Sequence, residues 1–236
     1  SFTFKTHMCW SAEVSFATFA FSTSCNIFLW NRNWCNDRSN AVFSQTFSFM
    51  QFLEGVIWLD IDGALGWNES CSTAIKPTLF AQAGSLAFGH LIERGTLPVA
   101  AWCAIVATVL AVLGRLVFDR YHPQRRSHLV VVGPGGHLLW PSLDTFDLLF
   151  LACVYPLGMS FPFFFYRPRL HGLVYALSGP VSVVFAALAF SDLAEFGGIT
   201  GEFGSLWCHI ANLYGLLAIS MPHVLKPIST HRSKLV

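Results

Sequence analysis

The stretch LPVAAWCAIVATVLAVLGRLV, Leu97 to Val117, decides how the rest of the chain is read. It is the cleanest apolar run and carries one charge, Arg115. Roughly 20 apolar residues rising about 1.5 Å each cross the ~30 Å hydrocarbon core of a bilayer. Comparable runs recur on both sides of it. They predict seven membrane helices, over residues 11–30, 41–59, 77–93, 97–117, 146–165, 170–190 and 205–221. The expected fold class is therefore all-α, a polytopic membrane protein forming one integral domain over 1–236. Pro77 suits the first turn of the third span. Pro156 and Pro162 break the fifth, Gly179 and Pro180 lie inside the sixth, and PHVLKP, from Pro222, ends the seventh.

Composition agrees with the bilayer as solvent. The 236 residues are 54% hydrophobic and 11% charged, with mean hydropathy +0.54. Soluble domains carry about 25% charged residues. A net charge of +1 gives no bulk attraction to nucleic acid, so the bilayer is the expected partner. The seven cysteines are scattered, without CxxC or other zinc spacing. Between the fourth and fifth spans, SHLVVVGPGGHLLWP (127–141) holds two short apolar strands around a glycine-rich turn. That pattern predicts a hairpin lying over the helix ends or on the membrane surface.

Seven spans place the termini on opposite sides. Side A denotes the side of the N-terminus and side B the other. Side A carries six basic residues and side B eight, among them Arg32, Arg38, Arg167 and Arg169. The positive-inside rule then favours side B, with the C-terminus and the Arg32 and Arg167/Arg169 loops, as cytoplasmic or its equivalent. Asn68-Glu69-Ser70 is a glycosylation sequon on side A. Trp10, Trp58, Trp67, Trp140 and Trp207 fall near side A as an aromatic belt.

Polar residues concentrate in the side A leaflet. Glu13 lies near the start of the first span, Gln51 and Glu54 near the end of the second, Gln82 in the third, and His209 and Asn212 in the seventh. By helical rise they lie roughly 5–12 Å below one surface. Gln45, Ser48, Gln51 and Glu54 follow at spacings of three, and so share a helix face that lipid cannot satisfy. Each intramembrane ionisable group costs at least ~2.5 kcal/mol. No Lys or Arg is expected at that depth, so the carboxyls are protonated, hold a cation or pair with His209. Cys9, Cys71 and Cys208 sit at the same surface, as a Cys9–Cys71 disulfide or as metal ligands with His209 and Glu54.

Several seven-span classes are excluded. Lysines occur only at 5, 76, 226 and 234, so no retinal Schiff base can form within the seventh span. Asp119-Arg120-Tyr121 follows the fourth span rather than the third, and no Asn-Pro-x-x-Tyr follows, so a G-protein-coupled receptor is not indicated. Intramembrane hydrolases resembling alkaline ceramidases hold zinc with a His-x-x-x-His pair on the last span. Here Leu213 stands four residues after His209, and His90 falls on side B.

MCWSAEVS (8–15), NDR (36–38), MQFLEGVIW (50–58) and WCHIAN (207–212) together resemble an uncharacterised family of multi-span membrane proteins from large DNA viruses, bacteria and eukaryotes. That family typically opens with Met-Cys-Trp-Ser-x-Glu-x-Ser. The resemblance covers most of the chain. It implies that Met8 is the usual start, that 1–7 are extra, and that Cys9, Glu13, Gln51, Glu54, Trp207 and Cys208 are the motif residues. It implies no activity.

The expected function is a polar pocket open to side A that binds or passes a small cation, a proton or a polar solute. Glu13 and Glu54 would carry charge, His209 would be the proton partner, and Gln51, Gln82 and Asn212 would be neutral ligands. The alternative is a non-catalytic subunit of a larger membrane assembly, its 23 Phe packing on neighbours, lipids or pigments. A metal-dependent intramembrane enzyme is a third reading, with the cofactor unspecified.

Overall fold

The computed structural model describes residues 11–97, 99–121, 129–133, 136, 138–139, 155–160, 163–164, 166, 169–189 and 210–232. The fold is all-α. Helices α1 (Ala12–Arg32), α2 (Asp37–Leu59), α3 (Trp67–Arg94) and α4 (Val99–Tyr121) precede a two-residue pair of strands, β1 (Val131–Val132) and β2 (Leu138–Leu139). Then follow α5 (Tyr155–Ser160), α6 (Arg169–Ala189) and α7 (Tyr214–Arg232). Helix α2 lies between α1 and α3, α4 and α5 pack on α3, and α7 packs on α1 and α2. Among the described residues one helix, α4, is long and apolar enough to cross a membrane, over Ala101–Phe118.

Local chemistry moves several boundaries. The polar stretch 31–40, expected as a turn, is half helix, and α2 begins at Asp37 instead of 41. Asn33 takes the left-handed conformation (φ 49°) and donates its backbone N–H to the Leu29 carbonyl, closing α1. The Asp37 carboxylate then accepts from Arg32 Nε (2.7 Å), Arg32 Nη2 (2.9 Å) and the Trp34 backbone N–H (2.8 Å), turning the chain into α2.

Helix α3 begins ten residues earlier than expected, and Pro77 lies inside it rather than in its first turn. The Asp60 carboxylate starts the helix by accepting the backbone N–H groups of Trp67 (2.7 Å) and Asn68 (3.0 Å), and also that of Leu65 (2.8 Å). At 28 residues, α3 is about 42 Å long by helical rise.

The seventh span also shifts. A turn at Asn212–Leu213 precedes α7, which runs through Pro222 to Arg232 instead of ending near 221. A proline inside a helix frees the carbonyl four residues back, here that of Ala218. Arg32 fills the gap. It donates from Nη2 to the Ala218 carbonyl (2.9 Å) and from Nη1 to the Ile219 carbonyl (2.8 Å). One guanidinium thus joins α1, α2 and α7. Of the fifth span, the described part holds only α5 and a turn at 163–164.

The hairpin forms as expected, with Val131 opposite Leu139 and Val132 opposite Leu138. Gly136, at φ +82°, closes the turn by donating to the Gly133 carbonyl (3.0 Å). Its anchor is Asn68, whose amide donates to the Val130 carbonyl (2.9 Å) and accepts from the Val130 N–H (3.1 Å). The sequon asparagine is therefore buried and fully engaged. No glycan fits there, so the sequon gives no support to a lumenal side A.

Candidate functional site

The polar ladder on α2 faces α1 because residues three apart share a face. Asn26 Nδ2 donates to Gln45 Oε1 (2.8 Å), Gln45 Nε2 to Thr23 Oγ1 (3.2 Å), and Ser48 Oγ to Ser22 Oγ (2.6 Å). Below this, Gln51 Nε2 donates to Glu54 Oε2 (2.9 Å), both residues fully buried. Gln82 on α3 is occupied, its Oε1 accepting from the Tyr155 hydroxyl (2.8 Å). Asn212 is buried in the turn before α7. Glu13 stands exposed in the first turn of α1. Cys71 is a half-buried free thiol whose burial pushes its pKa up. Cys9, Trp207, Cys208 and His209 lie outside the described residues.

Lys76 on α3 and Arg115 on α4, counted among the basic residues of side A, are both buried. Lys76 was assigned to a loop because α3 was started at 77.

The larger gathering of chemistry lies at side B, where α2 begins, α3 ends and α6 begins. Two carboxylates, two histidines, two asparagines and three tyrosines meet there. Ser39 Oγ is 2.6 Å from Glu93 Oε2 and 2.9 Å from His90 Nδ1. A hydroxyl has one proton, and a carboxylate can only accept it. Ser39 therefore donates to Glu93 and accepts from His90 Nδ1–H. The Ser39 backbone N–H reinforces the same carboxylate oxygen (3.0 Å). His90 must then carry its lone pair on Nε2.

His171 has the opposite tautomer. The Asn36 carbonyl oxygen accepts from Arg94 Nη2 (2.8 Å), which turns its NH2 toward His171 Nδ1 (3.4 Å). Nδ1 accepts, so Nε2 bears the proton. Asn40 Oδ1 accepts from the hydroxyls of Tyr166 (2.6 Å) and Tyr214 (2.9 Å), which orients its NH2 away from them.

Four buried polar atoms of this centre have no partner among the described residues: His90 Nε2, His171 Nε2, Asn40 Nδ2 and Tyr175 Oη. They belong to one ring system. His90 stacks on Tyr166 with centroids 4.9 Å apart, and His171 lies 5.6 Å from Tyr166 and 4.7 Å from Tyr175. Close helix approach makes room for this. A Cβ on Gly89 would lie 2.8 Å from Ser39 Cα and carbonyl oxygen, so only glycine lets α3 bring His90 up to Ser39.

The unpaired set holds two donors, one acceptor and one hydroxyl. That suits a proton or a water, and is poorly suited to a metal ion, which needs several lone pairs. Among the described residues no three His, Cys, Asp or Glu side chains form a metal-binding group. The sequence carried a signal for this centre in the spacings Asn36/Asn40, His90/Glu93 and His171/Tyr175. It was missed because 36–40 was read as loop and His90 as a residue of the wrong leaflet.

Two charged groups at the bundle ends are tuned by these contacts. The Asp37 carboxylate raises the Arg32 pKa above its ordinary value. Burial works against the Asp60 charge, yet three backbone N–H donors hold its carboxyl below the usual range. No family model, curated protein or solved structure matches the chain.

Proposed function

We propose that the chain is a seven-span integral membrane protein, with side B cytoplasmic or equivalent, that takes up and passes a proton at the side B centre. The observation that carries this is the Glu93–Ser39–His90 chain, which fixes a buried His90 Nε2 lone pair with no partner among the described residues. A protonated His90 would share its charge with Glu93 through Ser39, so the imidazolium form has a built-in counter-charge. Arg94 opposes it from the same helix. The Asn40, His171 and Tyr175 groups around Tyr166 supply the onward donors and acceptors. The resemblance to the Met-Cys-Trp-Ser family supports the multi-span reading.

The test is proton flux. Vesicles containing the full chain and an internal pH-sensitive dye are given a pH step. Wild type should dissipate it faster than empty vesicles, and His90→Gln and Glu93→Gln should not. Equal decay for wild type and His90→Gln removes the proposal.

A second reading has its own observation. Only 18% of the Ala101–Phe118 window is buried, leaving Leu110, Leu113 and Val117 outward on α4. Such a face suits an accessory subunit packed on other membrane proteins as well as it suits lipid. Gentle extraction yielding only a monomer would count against it.

A further inference from the structure

A groove of about 1010 Å³ runs between α1, α2, α3 and α4, at the upper end of the size range of ligand sites. Its walls include Trp30, Val42, Gln45, Ala81, Thr108 and Val109. Along α2 one face carries Arg38, Val42, Gln45 and Phe49, at helical spacings of three and four. The last three line the groove, and Arg38, one turn toward side B from Val42, reaches Trp30 of the groove wall. There its guanidinium carbon lies 5.4 Å above the Trp30 ring.

This cation is not consumed internally. Arg32 is taken by Asp37 and Arg94 by Asn36. Arg38 makes no ion pair among the described residues, and its Nε is buried without a hydrogen-bond partner there. Eleven residues separate Arg38 from Phe49, a rise of about 16 Å. That is close to half the ~30 Å hydrocarbon thickness, so the groove has the depth of one leaflet.

We infer that this groove binds an anionic glycerophospholipid of the side B leaflet, with one acyl chain between α2 and α4 and its phosphate on Arg38. The inference rests on the membrane-spanning reading above. A groove with apolar walls and one uncommitted guanidinium at interfacial height matches a lipid in both polarity and length. Trp30 serves twice, walling the chain and holding the guanidinium level with the phosphate. The side B leaflet also agrees with the cytoplasmic assignment, since anionic lipids are concentrated there.

The test uses the full chain in phosphatidylcholine vesicles doped with brominated-chain phosphatidylglycerol or, separately, brominated-chain phosphatidylcholine. Quenching of tryptophan emission reports chain contact. Wild type should favour the anionic lipid roughly fivefold, the value of about 1 kcal/mol for one basic side chain near an anionic surface. Arg38→Gln should abolish the preference, Arg38→Lys should keep most of it, and Ala81→Phe, which fills the groove, should reduce quenching by both lipids. Equal quenching by the two lipids in wild type, or an undiminished preference in Arg38→Gln, overturns the inference. Carbonate washing of the same vesicles separates it from the spanning reading. A chain that washes off defeats both, whereas one that stays without a lipid preference defeats this inference alone.

Discussion

Arg32→Ala tests whether one side chain replaces the hydrogen bond that Pro222 removes. The substitution takes away a two-pronged ion pair with Asp37, whose side chain is 1% exposed, and two bonds to α7 carbonyls. Breaking a buried pair costs about 3–5 kcal/mol. The Arg32 side chain is 19% exposed, so water offsets part of this and about 3 kcal/mol is expected. Arg32→Lys keeps the charge but loses the fork, and should lie between the two.

The discriminating variant is Pro222→Ala. It returns a backbone N–H to the Ala218 carbonyl, which in wild type already accepts from Arg32. The unfolded-state entropy change of Pro→Ala is the same in both backgrounds, so it cancels in a double-mutant cycle. One net hydrogen bond is worth about 1 kcal/mol. Pro222→Ala should therefore be about 1 kcal/mol more favourable in Arg32→Ala than in wild type. The assay is denaturant unfolding of all four proteins in detergent micelles, followed by circular dichroism. A coupling of zero would falsify the assignment of Arg32 as substitute donor, whatever the single variants cost.

Three further outcomes follow from the same geometry. Asn68→Ala should cost about 1–3 kcal/mol and speed hydrogen exchange in the hairpin, and a folded chain made in glycosylating cells should carry no glycan at Asn68 by intact mass. The folded-state pKa of Asp60 is lowered, so its contribution to stability is present above the usual carboxylate value near 4 and lost as pH falls through the folded value. Unfolding midpoints should drop across that acid window in wild type and less so in Asp60→Asn. Gly89→Ala should cost roughly 1–3 kcal/mol by overpacking against Ser39 and slow proton flux as His90→Gln does, whereas Ala107→Gly on α4 should leave flux unchanged.

Hydropathy located most of the described helices, because apolar runs record which residues avoid water. Helix ends are decided otherwise. The early start of α3 depends on a carboxylate at Asp60 capping amides seven and eight residues on, and nothing in 60–66 is apolar enough to announce it. The passage of α7 through Pro222 depends on Arg32, 186 residues away from the carbonyl it serves, a pairing that no local pattern carries. The hairpin was legible because its turn chemistry is local. The three-residue ladder on α2 was legible because a helix period is local too.

The same distinction explains why the candidate site moved to the other end of the bundle. Depth could be counted from the sequence, so Gln51, Glu54 and Gln82 were correctly expected to be inside. Their partners could not be counted: Gln51 donates to Glu54, and Gln82 accepts from Tyr155. At side B a four-residue shift in the start of α2 places Ser39 and Asn40 inside a helix, where their polar groups must find partners. Their partners come from α3, Tyr166 and α7, and His171 joins through Asn36. Near the side B centre lie Glu93 and Asp37 together with Arg32 and Arg94, and Arg32 is already matched by Asp37. Glu93 is thus the acid linked to His90 through Ser39, as the proposed proton uptake requires.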